Sequence, residues 1–269
     1  MTFGATSPYK SRVIPTAQAT AFAVCATALA AAVAVQAQGA SDARRAVSAF
    51  VSRLADTRVA DLEVRQSLTI YHSDGRHPQS TGEQRVMLKM PRRQRVEQVL
   101  EGRREVRLTV GDRTWVRHPD GRVVEVPPGE RDRARAALFT ALPRSAEDLL
   151  AEWKSFGVRD DVTHASRVRG RPVTVIGAGP GERATPAVWL DPEYGVVRVV
   201  TRDRLPSGSA LVDVVFSEHR PLLAGFHFPH RQELFADGRL LLLVVVRSAA
   251  VNVGLADALF DPGALRREP

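Results

Sequence analysis

A single cysteine, Cys25, and three lysines, Lys10, Lys89 and Lys154, are all that the 269 residues contain of two reactive side chains. The cysteine lies inside an alanine-rich apolar run, Ala19 to Val35. That run follows the charges of Lys10 and Arg12 and ends in small residues. Val35-Gln36-Ala37 therefore reads as the cleavage site of a secretory signal peptide covering residues 1–37. Val24 precedes Cys25, where a bacterial lipid-attachment site carries glycine or alanine. Cleavage would leave a chain with no cysteine, which excludes a disulfide, a thiol nucleophile and a thiolate metal site. The formal charge would fall from +8 to +6, since the leader carries two basic residues and no acid. The expected address is a bacterial periplasm or cell exterior. Arginine supplies nearly all the remaining positive charge, which either a GC-rich coding sequence or attraction to an anionic surface produces.

Long hydrophobic runs are also missing after the leader. Leu240 to Val246 is apolar for seven residues between Arg239 and Arg247, far short of the roughly 20 that a membrane helix needs. Next to Asp237-Gly238 it reads as the second arm of a hairpin, covered on both faces. No G-x-S-x-G elbow and no H-E-x-x-H helix occurs. Of the seven histidines, His72 and His77 flank a turn, and His227 and His230 in "HFPH" would point to opposite faces of a strand. The acid pairs Glu147-Asp148 and Asp160-Asp161 fit a helix start and a solvated edge. With no nucleophile, base and orienting group in one pattern, no enzyme activity, cofactor or metal is expected.

What the sequence does contain is alternation. A helical stripe comes first, over Ser41 to Arg58, with Ala43, Val47, Phe50, Val51 and Leu54 on one side. From Asp61 the period becomes two: Leu62, Val64, Leu68 and Ile70 share one face, and Val86, Leu88 and Met90 oppose Arg85, Met87 and Lys89. Short runs continue at 95–100, 105–110, 113–117 and 122–126, separated by Gly102, Gly111-Asp112 and Asp120-Gly121. Such spacing predicts an antiparallel meander. A helical interruption over about 130–156 follows. Its second half starts at Ser145 with a capping-box partner, Asp148, and ends near Gly157. Strands resume over 158–168, 172–176, 187–190, 196–203, 210–218, 225–235 and 239–251. No repeat or compositional break marks a second domain, so residues 38–269 are expected to form one.

Two stretches invite other readings. "VIGAGPG", residues 175–181, imitates a dinucleotide-binding loop, but Gly181 comes too early and Glu182 stands where the motif needs glycine. Pro186 and the strand-like "AVWLD" leave no room for a crossover helix, so a hairpin turn is expected. "MPRRQRVEQVLEGRREVRL", residues 90–108, is arginine-rich, yet Glu97, Glu101 and Glu105 interrupt it and no aromatic residue offers a stacking platform. It reads as the solvated outer face of a sheet, not as a nucleic-acid site.

The order of elements, with "VMLKMPRRQRVE", "VGDRTWVRHPDGRV", "VWLDPEYGVVRVVTRD", "GFHFPHRQEL" and the closing "VNVGLADALFDP", resembles the periplasmic LolA-like family across about Ser41 to Pro262. That family includes the outer-membrane lipoprotein carrier and related lipid-binding and stress-sensing proteins. The resemblance implies an α+β, mainly β fold, a half-open antiparallel barrel closed by helices, with an apolar lining that accepts acyl chains of a lipoprotein or lipid. Inward positions expected to meet them are Leu68, Ile70, Val86, Leu88, Met90, Leu108, Val110 and Trp115. Carriage across the periplasm to the outer membrane is the function implied. A sensor or regulatory partner of envelope proteins, in the manner of sigma-factor regulators, is the alternative. In the carrier an arginine before the early-strand proline holds the lid; Met90 stands there in this sequence.

Overall fold

A computed structural model describes residues 40, 42–126, 145–205 and 208–268. The leader, the expected cap Ser41 and residues 127–144 of the helical interruption lie outside the described residues.

The first half of the chain runs β1 (Asp61–Tyr71), β2 (Pro78–Lys89), β3 (Arg93–Leu100), β4 (Arg103–Val110), β5 (Arg113–Arg117) and β6 (Val123–Val126). The second runs β7 (Thr163–Val168), β8 (Arg171–Ile176), β9 (Ala187–Asp191), β10 (Gly195–Leu205), β11 (Gly208–Leu223), β12 (Phe226–Ala236) and β13 (Arg239–Val251). Each half is a meander. Antiparallel pairing of β1 with β13 joins them into a single 13-stranded sheet that leaves β6 and β7 as its edges. This is the expected mainly β, half-open architecture. Several strands outrun the alternation that announced them: β2 begins at Pro78 and β11 spans 16 residues. One starts late, since residues 158–162 form turn and coil before β7.

Helix α1 occupies residues 42–54 and ends earlier than the amphipathic pattern predicts. Its stripe Ala43, Val47, Phe50 and Leu54 is buried in a core shared with Val188, Leu190, Val199, Val212, Val214 and Phe216 of β9 to β11. Gly195 is required at this contact. Its φ is +80°, and a Cβ there would stand 2.6 Å from the Phe50 ring. Helix α2 (Ala146–Ser155) starts as its sequence predicts, with the Ser145 hydroxyl accepting from the Asp148 N–H at 3.0 Å. It adds Leu150 and Trp153 to the same core. The two helices thus cover one face, the inner face, of the second-half strands.

The glycine-rich stretch joins β8 to β9, which pair antiparallel, so it is the expected hairpin connection. Glu182 accepts from the Gly179 N–H at 3.1 Å. The acid therefore occupies the amide that a phosphate would need.

The outer face of the first half is not the solvated surface that its arginines suggest. Residues 252–268 cross it and bury Leu255, Phe260 and Leu265 against Met87, Val106, Leu108 and Trp115. The closing motif works as a latch. Asn252 adopts a positive φ of 57° and bonds Ala60 N–H and Arg58 C=O, at 2.7 and 2.9 Å. Asp257 meets Lys89 and Arg93, at 2.8 and 2.6 Å. Asp261 caps α3 (Pro262–Arg267) through the Gly263 and Ala264 amides. Arg95, placed on the solvent side by the sequence reading, is 2% exposed and bonds Glu97 and Glu268, each at 2.7 Å.

Candidate functional site

The helices cover only part of the inner face. Where they stop, five adjacent strands, β3, β2, β1, β13 and β12, line a cavity of about 800 Å³. Strand register builds it row by row. Leu62 pairs with Leu88, Val64 with Val86, and Val86 with Val96. On the other side Leu68 pairs with Val244 and Ile70 with Leu242, while Val244 meets Gln232. Leu62, Val64, Leu88 and Phe228 belong to both the cavity wall and the main core, so the hollow opens directly off the core. None of its described lining residues is charged.

Of the eight positions expected to line such a cavity, Leu68, Ile70, Val86 and Leu88 do so. Met90 instead packs, partly buried, against the main core. Leu108, Val110 and Trp115 lie on the other face. Register fixes this: Met87 pairs with Arg95, Arg95 with Leu108, and Leu108 with Trp115, all one position out of step with Val86 and Val96. Val110 shares their side of β4. Alternation shows which residues share a face but not which face is inner, and here the latch makes the outer face apolar as well. Lining residues that the sequence reading missed include Val96, Phe228, Leu242 and Val244.

The run Leu240 to Val246 is correspondingly not covered on both faces. Only Val244 and Val246 are buried; they share the inner side with the partly exposed, cavity-lining Leu242, and Leu243 and Val245 on the opposite side are partly exposed as well.

A smaller hollow of about 250 Å³ lies over β8 to β11, lined by Arg171, Asp191, Tyr194, Ser217 and His219 among others. Asp191 accepts from Arg171 at 2.7 and 3.2 Å, and the Arg171 guanidinium sits 3.9 Å from the centre of the Tyr194 ring. Tyr194 stacks on His219 with ring centres 4.7 Å apart. Burial pushes the His219 imidazole down to about 4. The Asp191 charge acts against this; His227, Arg171 and His230 reinforce it. His219 is therefore a neutral packing ring at pH 7. His227 meets Tyr194 at 5.1 Å between ring centres, whereas His230 stands edge-on to Phe228 at 6.3 Å. The two histidines lie on opposite faces of β12, so they share no metal. Among the described residues no group of three or more candidate ligands could hold one. No described helix is long and apolar enough to cross a membrane.

No family model matches the sequence, and no curated protein sequence does. Solved structures do match in fold. One is a domain named for outer membrane lipoprotein sorting, from Vibrio parahaemolyticus. It is 17% identical over 84% of this chain and 100% of its own, with a TM-score of 0.56. Another is a DUF1329 family protein from Desulfovibrio piger, 15% identical over 82% of this chain and 98% of that one, with a TM-score of 0.53. The fold is LolA-like, as the ordered sequence elements suggest.

Proposed function

We propose that this protein binds the acyl chains of a lipid or lipoprotein in its inner cavity and carries them through the periplasm, shielded from water. The observation that carries the reading is a cavity of about 800 Å³ whose described lining is uncharged and mainly apolar, within the roughly 300–1,000 Å³ of small-molecule sites. Nothing in a hydrocarbon chain asks for more. Each buried methylene contributes about 0.8 kcal/mol, so a C16 chain gains about 12 kcal/mol gross. Ordering and association offset a large part of this, on the order of 4–15 kcal/mol. The balance suits a carrier, which must hold its cargo in water and still surrender it to a membrane.

Leu68, Ile70, Val86 and Leu88 would touch the chain, with Val64, Val96 and Val244 completing the wall. The leader expected at residues 1–37 would direct the protein outside the inner membrane, which supports this reading. The domain named for lipoprotein sorting has the same fold, which favours acylated protein as cargo. Binding alone accounts for the activity, and no bond need be made or broken.

Uptake of an uncharged apolar fluorophore, diphenylhexatriene, by the delipidated protein tests the reading. Saturable uptake is expected, and Leu68→Arg should abolish it by placing a charge in the wall. Uptake that Leu68→Arg leaves unchanged would place the probe elsewhere and remove the cavity from the account.

A further inference from the structure

The cavity wall carries more hydrogen-bonding groups than hydrocarbon needs. Five of its residues are glutamines: Gln66, Gln84, Gln94, Gln98 and Gln232. Three form a row. Gln66 on β1 pairs with Gln84 on β2, which pairs with Gln98 on β3. Their amides are bonded in one direction, Gln66 Nε2 donating to Gln84 Oε1 at 2.6 Å and Gln84 Nε2 to Gln98 Oε1 at 3.0 Å. Each primary amide carries two N–H groups. The second hydrogens of Gln66 and Gln84 and both of Gln98 remain to reach a ligand.

The row crosses the wall midway. Along β1, Leu62 lies four residues to one side and Ile70 four to the other, about 13 Å each way at the rise of a strand. Apolar side chains line both stretches. Gln94 lies level with Leu88, and Gln232 level with Val244, so neutral amides also flank the row on either side. Charged residues of this face begin one strand further out. There Glu105 pairs with Gln98 and Arg107 with Val96.

Amides in an apolar wall cost free energy unless they are bonded, and a wall serving only hydrocarbon would gain by replacing them with leucine. What they offer is specific: donors without charge. An ester or amide carbonyl accepts such donors. A carboxylate or phosphate on the same spot would be desolvated with no cation among the described lining residues to meet it.

Resting on the acyl-binding reading above, we propose that the Gln66–Gln84–Gln98 row is a subsite for the neutral carbonyl that links an acyl chain to its carrier group. The ligands are then esterified or amide-linked acyl groups, not free fatty acids. The row fixes where along the cavity the polar linkage sits, and the hydrocarbon extends over the leucines and valines beside it.

The test displaces diphenylhexatriene from the delipidated full-length chain, expressed with its own leader, at pH 8. The competitors are three C16 ligands: palmitate, monopalmitoyl glycerol and N-palmitoyl ethanolamine. The wild type should bind the ester or the amide at least about tenfold more tightly than palmitate, the scale of one hydrogen bond gained or left unmade. Gln84→Leu should erase that preference while retaining uptake of the fluorophore, at an affinity equal to or above that of the wild type because the wall becomes more apolar. Gln98→Leu, at the end of the row, should reduce it in the same direction and serves if the first variant does not fold. A preference for the ester alone or the amide alone supports the subsite and identifies the linkage. Equal affinity for all three, unaltered in either variant, overturns the subsite and makes the row cross-strand bonding only. Failure of the wild type to take up the fluorophore at all would instead overturn the acyl-binding reading.

Discussion

Replacing Asp61 by alanine should loosen the latch and leave the cavity intact. Asp61 opens β1 and is 4% exposed. Its carboxylate accepts the N–H groups of Val253 at 2.7 Å and of Gly254 and Leu255 at 3.0 Å each. Val253 and Gly254 are exposed, so water can satisfy their amides after the substitution; Leu255 is buried and its amide cannot be reached. Leaving one buried donor unmade costs about 1–3 kcal/mol, and the two exposed amides, to which water replaces the carboxylate, add about 0.5 kcal/mol each, the low end for a hydrogen bond. The expected loss is therefore about 3 kcal/mol, which for a domain of this length lowers Tm by roughly 6–12 °C. Asp61→Asn, which keeps one acceptor oxygen, should lose about a third of that. In a Trp153→Phe, Trp189→Phe background the remaining indole, Trp115, lies under the latch at 4% exposure. Asp61→Ala should open it to acrylamide quenching, while diphenylhexatriene affinity stays within twofold. A melt unchanged within 2 °C, with Trp115 still shielded, would refute the latch. A parallel loss of probe binding would refute the separation of the two apolar faces.

Met87→Ala and Leu68→Arg should give different patterns. The first empties a fully buried site on the outer face, costing about 2–5 kcal/mol in urea titrations and leaving probe affinity unchanged. The second should abolish uptake; Leu68 is 6% exposed, so burying the charge lowers the midpoint as well, and the contrast between the two variants lies in probe affinity. Acid should act partly through His219. Its folded value, about 4, lies below the ordinary 6.5, so the neutral ring's contribution is complete above pH 6.5 and is lost as pH falls towards 4. The loss is on the order of 2 kcal/mol after allowing for the ring's partial exposure. His219→Gln should reduce the acid dependence of the urea midpoint across that interval, and a wild-type slope in the variant would contradict the assignment.

Local signals in the sequence were strong because the strands alternate and Asp-Gly, Gly-Asp and Gly pairs punctuate them. Arg113 to Arg117 and Arg239 to Val251 begin and end where the pattern does. Ser145 caps the helix it announces. The closing Asn-x-Gly-Leu-x-Asp-x-x-Phe-Asp run was visible as a motif, but its purpose was not. Its partners Asp61, Lys89 and Arg93 are more than 150 residues away in sequence. The same distance hid the burial of Arg95, whose acid Glu268 comes from the other end of the chain. Facing was the general failure. Met87 looked like an outward interruption among Arg85 and Lys89, and Leu108 and Trp115 like lining, because a second apolar layer exists that alternation cannot assign to a side. The glutamines were overlooked for another reason. Alternation puts Gln66 in step with Val64 and Leu68, and Gln84 with Val86, but a lone amide among apolar residues carries no signal. Gln98 fell within the stretch read as a solvated face, until register places the three side by side.

The central claim is that the inner cavity holds acyl chains, and native mass spectrometry of the exported protein tests it most directly. Purified without detergent, it should carry discrete added masses that disappear on organic extraction and return when an acylated lipid is supplied. A protein that arrives bare and stays bare in the presence of that lipid would contradict the account.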